Sequence, residues 1–195
     1  MGGVNLGVAM AGGKSAGREE NDFYPTPPEV TQAFFGSDEG KLFRENFHGQ
    51  EVWEPCVGDG AMADIIKGNG HKVIGTDIVD RGWFGTEVQD FLTAKWARAP
   101  IIITNPPYNI AQKFIEQADR LGILYMALLL KMTFWNASSR YDLWHRFPPV
   151  SIYPLTWRPD FLGKGAPTMD VMWCVWQKGL RKEGTARFQP LNRSR

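Results

Sequence analysis

The chain has 195 residues, 43% of them hydrophobic, a formal net charge of +1 and two cysteines. That length suits one domain able to bury its own core, and near-neutrality excludes a molecule that gathers nucleic acid by its overall field, so any basic footprint has to be local. Cys56 and Cys174 stand far apart without metal-ligand spacing, which excludes a disulfide scaffold and reads as reduced thiols, most simply small buried hydrophobes.

Residues 1–21 are rich in Gly and Ala and read as a flexible arm. Gly12-Gly13-Lys14-Ser15 is not a phosphate loop: Val8 occupies the place of that motif's first glycine, and no buried strand precedes it. Leu6 stands where a myristoylation motif wants Ser or Thr. No charged-then-apolar leader opens the chain, and the longest apolar stretch, 121–130, is too short to cross a bilayer. A cytoplasmic chain with no membrane partner is expected.

Order begins at Asn21-Asp22-Phe23-Tyr24-Pro25-Thr26-Pro27-Pro28-Glu29. The prolines hold the chain extended until Pro28 opens a helix over Val30, Ala33 and Phe34, with Thr26 near its cap. Next, 51–63 reads as a short strand, a glycine turn and a helix to about Lys67. Gly58 and Gly60 permit a tight turn and close approach of a ligand to unpaired backbone N–H groups. The strand 71–76 ends in Asp77, the place where nucleotide-binding folds put a carboxylate for ribose hydroxyls, and Ile78 follows it. A third short strand, 88–92, carries Asp90 and Phe91. Taken singly, Asp90 also reads as a helix cap and Phe91 as core.

Ile101-Ile102-Ile103-Thr104 is an apolar run without polar alternation, which suits a parallel strand covered on both faces. It stops at Asn105-Pro106-Pro107-Tyr108. The prolines supply no backbone donors, so the Pro106 carbonyl and the Asn105 side chain are left at the carboxyl edge of the sheet, where open α/β sheets bind ligands. Any Pro-Pro pair can also make an ordinary strand exit. Ala111, Phe114, Ile115, Ala118 and Leu121 recur at helical spacing, predicting a helix over 109–121. A fifth strand over 123–130, a polar helix over 138–146 and strands over 150–155 and 170–176 complete an α/β pattern.

Asn105-Pro106-Pro107-Tyr108 resembles the catalytic motif of the S-adenosylmethionine-dependent amino methyltransferases, which methylate exocyclic amines such as adenine N6 in DNA. Tyr24-Pro25-Thr26-Pro27 and Glu54-Pro55 before the glycine turn are similar to the DNA enzymes. The order, with the Thr26 segment first, the cofactor half next and the catalytic half last, resembles their gamma class in a small phage-type member, over about Asp22 to Gly179. The resemblance implies a Rossmann-like class I fold, a seven-stranded mostly parallel sheet with an antiparallel last strand. It implies S-adenosyl-L-methionine as cofactor, held by Tyr24, Thr26, Glu54, Pro55, Gly58, Gly60, Asp77, Ile78, Asp90, Phe91 and Asn105. In this family Asn105 and the Pro106 carbonyl would accept the target amine, with Pro107 completing the motif and Tyr108 stacking on the base. No metal is needed. In Arg158-Pro159-Asp160-Phe161, which is similar to phage-type members, Phe161 would pack on the target base, although a hairpin-loop Phe tucked into the core accounts for it equally.

One departure is large: 180–195 follow the catalytic domain expected over 22–179, so no separate target-recognition domain is expected and specificity would fall to the loops 79–87, 132–149 and 158–170. In or next to these loops Trp83, Phe84, Phe134, Trp135, Trp144 and Trp157 mix with Arg81, Lys131, Arg140, Arg146 and Arg158. That mixture suits stacking on unpaired bases and contact with phosphates, and equally a set of core fillers. Trp135 and Arg158 join Tyr108 and Phe161 as candidate DNA contacts. Arg181, Lys182, Arg187, Arg193 and Arg195 against Glu183 make 180–195 a basic tail. The expected partner is DNA, duplex or single-stranded, with monomer and dimer both open. Cytosine N4, protein glutamine and guanine N2 of ribosomal RNA remain alternative targets of the same motif, and a silent binding module remains an alternative of another kind.

Overall fold

The computed structural model describes residues 23–180 and 185–193. The expected arm 1–21 and the tail residues Arg181, Lys182, Glu183 and Arg195 lie outside them. Among the described residues no helix is long and apolar enough to cross a membrane.

Helix α1 (Pro28–Gly36) starts with its proline where the missing N–H has no helical partner to lose, and buries Val30, Phe34 and Phe35. A second helix, α2 (Asp38–Phe47), follows at once and was not foreseen. Ser37 Oγ accepts the Gly40 N–H at 3.1 Å, and Asp38 and Glu39 sit in its first turn. The chain continues through β1 (Glu51–Glu54), α3 (Ala61–Gly68), β2 (Lys72–Asp77), β3 (Glu87–Val88), β4 (Ile101–Thr104), α4 (Ala111–Arg120), β5 (Tyr125–Lys131), α5 (Tyr141–Arg146), β6 (Ser151–Pro154), β7 (Val171–Gln177) and β8 (Arg187–Phe188).

The sheet has eight strands, one more than expected, in the order β3-β2-β1-β4-β5-β7-β6-β8. β7 runs antiparallel to both β5 and β6, as expected of the seventh strand, but it is not the last. β8 comes from the stretch read as a basic tail and pairs parallel with β6. Beyond it, buried Leu191 bridges to Leu155 and Arg193 meets Glu29 at 3.1 Å, so apolar burial and an ion pair draw this segment onto the sheet. The strand expected over 88–92 is cut short for a local reason. The Asp90 side chain accepts the Leu92 N–H at 2.9 Å and starts a 3-10 turn, Phe91–Thr93, that leads the chain off the ladder.

Two apolar cores cover the two faces. Ile101 and Ile103 of β4 pack toward α1, α2 and α3 with Phe34, Phe43, Ile66 and Trp173, while Ile102 packs toward α4 with Trp53, Phe114 and Trp176. Each of these fully buried isoleucines contributes about 1.5–3 kcal/mol of burial. The strand order reverses between β1 and β4. At that switch point the connections diverge and leave a crevice at the carboxyl ends of the strands, between the exits of Glu54 and Asn105.

Candidate functional site

β1 delivers Glu54 and the turn Pro55-Cys56-Val57-Gly58-Asp59-Gly60 to the switch point. The turn is shaped by glycine: Gly58 and Gly60 have φ of 56° and 86°, a region other residues rarely enter. It is tied to the neighbouring strand by Asp77, whose Oδ2 accepts the Gly58 N–H at 2.9 Å and whose Oδ1 accepts the Val79 N–H at 3.2 Å. Each carboxylate oxygen keeps a further lone pair for a ligand.

The β2–β3 loop folds back over this turn. A Cβ on Gly60 would come within 1.8 Å of the Trp83 ring, and one on Gly58 within 2.6 Å of Phe23. Trp83 is fixed by donating its indole N–H to Asp64 at 3.0 Å, with the Lys67 ammonium 4.0 Å from its ring centroid. Gly60 therefore lies beneath Trp83. Arg81 lays its guanidinium 4.0 Å over Phe23, and its buried Nε has no partner among the described residues.

On the other side of the crevice, β4 ends at Asn105-Pro106-Pro107-Tyr108. Asn105 Nδ2 donates to Thr26 Oγ1 at 3.1 Å, joining residues 79 apart in the chain. Among the described residues nothing donates to Asn105 Oδ1 or to the Pro106 carbonyl. Pro107 O accepts the Ile110 N–H at 3.1 Å, which turns the chain into α4. Tyr108 packs against the α1-side core beneath Lys131, whose ammonium lies 5.2 Å from the ring centroid; the Tyr108 hydroxyl is buried with no partner among the described residues, and burial raises its pKa.

A single cavity joins these parts. Its wall includes Tyr24, Thr26, Glu54, Pro55, Gly58, Asp77, Ile78, Asp90 and Phe91 together with Asn105, Pro106, Pro107 and Tyr108. Of the residues predicted to hold a cofactor, only Gly60 is off the wall. Asp90 is exposed and spends one oxygen on its cap, while Phe91 is 2% exposed and stacks on Phe114 at 4.6 Å, so it serves the core and the wall at once. Phe23, Asp59, Met62, Arg81, Ile110 and Phe114 also line the cavity and were not singled out for it. Phe23, Asp59, Met62, Ile110 and Phe114 flank the predicted motifs, so their nearness in sequence was the available signal; Arg81 arrives only because the β2–β3 loop folds back onto Phe23, for which local periodicity carries none.

The cavity is acidic. Glu54 is 2% exposed, its Oε2 has no hydrogen-bond partner among the described residues, and its pKa is pushed well up by burial first and then by Asp77, Asp59 and Asp64. Arg81 is the one cation among the described lining residues. Cys56 also sits on the wall, but burial and then the Asp77 and Glu54 carboxylates push its thiol up, so it is poorly suited to act as a nucleophile.

The structure does not bring the other candidate DNA contacts to this wall. Trp135 lies on the opposite, α4 side of the sheet, edge-on to Phe134 and Trp144 at 4.8 and 4.9 Å. Its aromatic neighbours offer it more burial than a loop tip would. Phe161 is tucked into the α1-side core. Arg158 is exposed and held by both oxygens of Asp170 at 2.7 and 3.3 Å. Arg140 donates to the Phe134 carbonyl and Arg146 lies 3.6 Å from Glu116, so much of the expected basic character of the loops is already partnered. Of the aromatic group, Phe84 is displayed outright, 94% exposed.

Solved structures with this architecture share a theme. A Pyrococcus horikoshii protein provisionally assigned as an RNA methyltransferase matches 81% of this chain and 87% of its own, with a TM-score of 0.63 at 16% identity. A provisionally assigned class I S-adenosylmethionine-dependent methyltransferase from Listeria monocytogenes matches 90% and 68%, with a TM-score of 0.62 at 12% identity. The fold is that of the class I methyltransferases. A dimethyladenosine transferase from Plasmodium falciparum matches 80% of this chain and 63% of its own, with a TM-score of 0.56 at 14% identity. No family model matches the sequence and no curated protein matches it, so these comparisons speak for the fold. In this methyltransferase fold the crevice between β1 and β4 is the switch point, and the cavity occupies it.

Proposed function

We propose that the chain transfers a methyl group from S-adenosylmethionine to the N6 amine of adenine in DNA. The observation that carries the reading is the single cavity in which an acidic, glycine-lined half meets Asn105-Pro106-Pro107-Tyr108. Its residues fit the donor. The unpartnered Glu54 Oε2 suits an ammonium or sulfonium, the remaining lone pairs of Asp77 suit hydroxyls, and Arg81 suits the single carboxylate. S-adenosylmethionine, when bound, supplies an electrophilic methyl group on a sulfonium.

The chain's part is to present the amine. An exocyclic amine is a poor nucleophile because its lone pair is delocalised into the ring. Asn105 Oδ1 and the Pro106 carbonyl, both lacking donors among the described residues, can accept its two N–H groups and favour the pyramidal amine on which that lone pair is available. Held so, the reaction gains chiefly from positioning. In duplex DNA the base must leave the stack at a cost of about a few kcal/mol, which stacking on Tyr108 partly offsets.

The test is to incubate the protein with methyl-labelled S-adenosylmethionine and DNA or RNA in separate arms, then digest to nucleosides. Label in N6-methyldeoxyadenosine is expected. Label in N4-methyldeoxycytidine or in ribonucleosides would replace the substrate, and no label with any nucleic acid, together with no cofactor binding, would overturn the reading.

A further inference from the structure

Thr26 sits at the mouth of α1 and Asn105 at the end of β4, and among the described residues the hydrogen bond that ties Asn105 to the facing wall of the cavity is the 3.1 Å bond from its Nδ2 to Thr26 Oγ1. Thr26 is 6% exposed, so its hydroxyl has little water to exchange for this contact. A carboxamide can rotate by half a turn at small steric cost, which would exchange its acceptor for its donor. An amine with two N–H groups needs the acceptor. A rotated Asn105 would offer it N–H against N–H.

We propose that Thr26 is a positioning residue: its hydroxyl receives the Asn105 Nδ2–H and thereby holds Oδ1 toward the target amine. This rests on the reading of Asn105 as the acceptor of that amine. The neighbourhood supports a fixed role, because Pro25 and Pro27 on either side of Thr26 and Pro106 after Asn105 restrict both backbones. The hydroxyl group, rather than the bulk of the side chain, is what the role requires.

The experiment compares Thr26→Val, Thr26→Ala and Thr26→Ser with the parent chain by three measurements: S-adenosylhomocysteine affinity by calorimetry, kcat at saturating substrates, and the Asn105 side-chain amide resonances, assigned by their loss in Asn105→Asp. Loss of the hydroxyl in Val and Ala should move the Asn105 resonances and lower kcat by about 10- to 100-fold, as expected for a misplaced reacting group, a loss that exceeds any fall in affinity for S-adenosylhomocysteine from Thr26's place on the cofactor wall. Ser should restore both. Unmoved Asn105 resonances, a normal kcat in Val and Ala, or a defect confined to cofactor affinity would overturn the proposal. So would loss of folding in both Val and Ala, since the hydroxyl would then hold the segment rather than the amide. A parent chain that transfers no methyl group while Val still moves the Asn105 resonances would defeat the functional reading alone.

Discussion

Glu54 is the residue whose replacement should separate stability from function. Its side chain is buried, its Oε2 has no partner among the described residues, and Asp77, Asp59 and Asp64 act on it from β2, the glycine turn and α3. Burial and these like charges raise its pKa in the folded state, so the folded protein holds the proton more tightly than the unfolded chain. The stabilisation is present below the ordinary carboxylate range and is lost as pH rises through the folded value. Above that pH the unliganded protein carries a buried carboxylate with an unsatisfied oxygen, a cost of about 1–3 kcal/mol. Glu54→Gln removes the charge and should raise the melting temperature of the unliganded protein by roughly 2–12 °C for a chain of this size. The gain should shrink toward zero in acid. The same change deprives a cationic ligand of its anion, which should weaken S-adenosylmethionine by roughly 10- to 150-fold if a charged hydrogen bond of about 1.5–3 kcal/mol is lost. Calorimetric unfolding and ligand titration from pH 5 to 9 read both effects, and the parent chain's affinity should climb with pH while the variant's stays flat. A variant no more stable than the parent, with unaltered affinity, would show that Glu54 neither strains the fold nor meets the ligand.

Other substitutions test the remaining walls. Asn105→Ala should abolish transfer and leave S-adenosylhomocysteine titrations nearly unchanged; substantial residual kcat would remove the catalytic assignment. Asp77→Ala should weaken cofactor binding by roughly 1–3 kcal/mol and lower the melting temperature, because the Gly58 and Val79 N–H groups lose their acceptor; unchanged affinity would mean that the end of β2 has been misread. Arg81→Gln should lower affinity by about tenfold through loss of the cavity's described cation, and equal affinity would place the ligand carboxylate elsewhere.

What could be read from the sequence follows from which contacts are local. The isoleucine run of β4, the glycine turn after β1 and the Ala111, Phe114, Ile115, Ala118 face of α4 announce themselves by composition or period. α2 does not: of its ten residues only Glu39, Gly40 and Phe43 are buried, too few for a helical stripe. β8 is two residues long and exposed, and only its pairing with β6 and the burial of Leu191 make it structure. In the site, Asn105, Asp77 and Glu54 were legible because strand ends place them. The clamp of Trp83 on Gly60 and the stacking of Arg81 on Phe23 were not, since they join a loop to distant backbone. Aromatic composition does not say which way a loop ring turns: Phe161 is buried in the α1-side core, and Trp135 is half-buried against the α4-side core.

The position of Asn105 raises a question of register, because three successive isoleucines cannot set their own. A one-residue slip of β4 would still bury an isoleucine on either face, so the apolar pattern that normally specifies pairing is degenerate here. The ends decide it instead. Pro100 and Pro106 bracket the strand and cannot donate to a ladder, so neither can be drawn into a central strand position. At the entry the Pro100 carbonyl accepts the Leu124 N–H at 2.8 Å, and at the exit Asn105 is held by Thr26 at 3.1 Å. With those ends fixed, Ile102 falls beside Trp53 of β1 and Thr104 beside Leu128 of β5. Asn105 is then the first residue past the β5 pairing, on the same crevice as Glu54. The prolines thus do two jobs: they leave a carbonyl free at the cavity, and they set the register that brings the asparagine there.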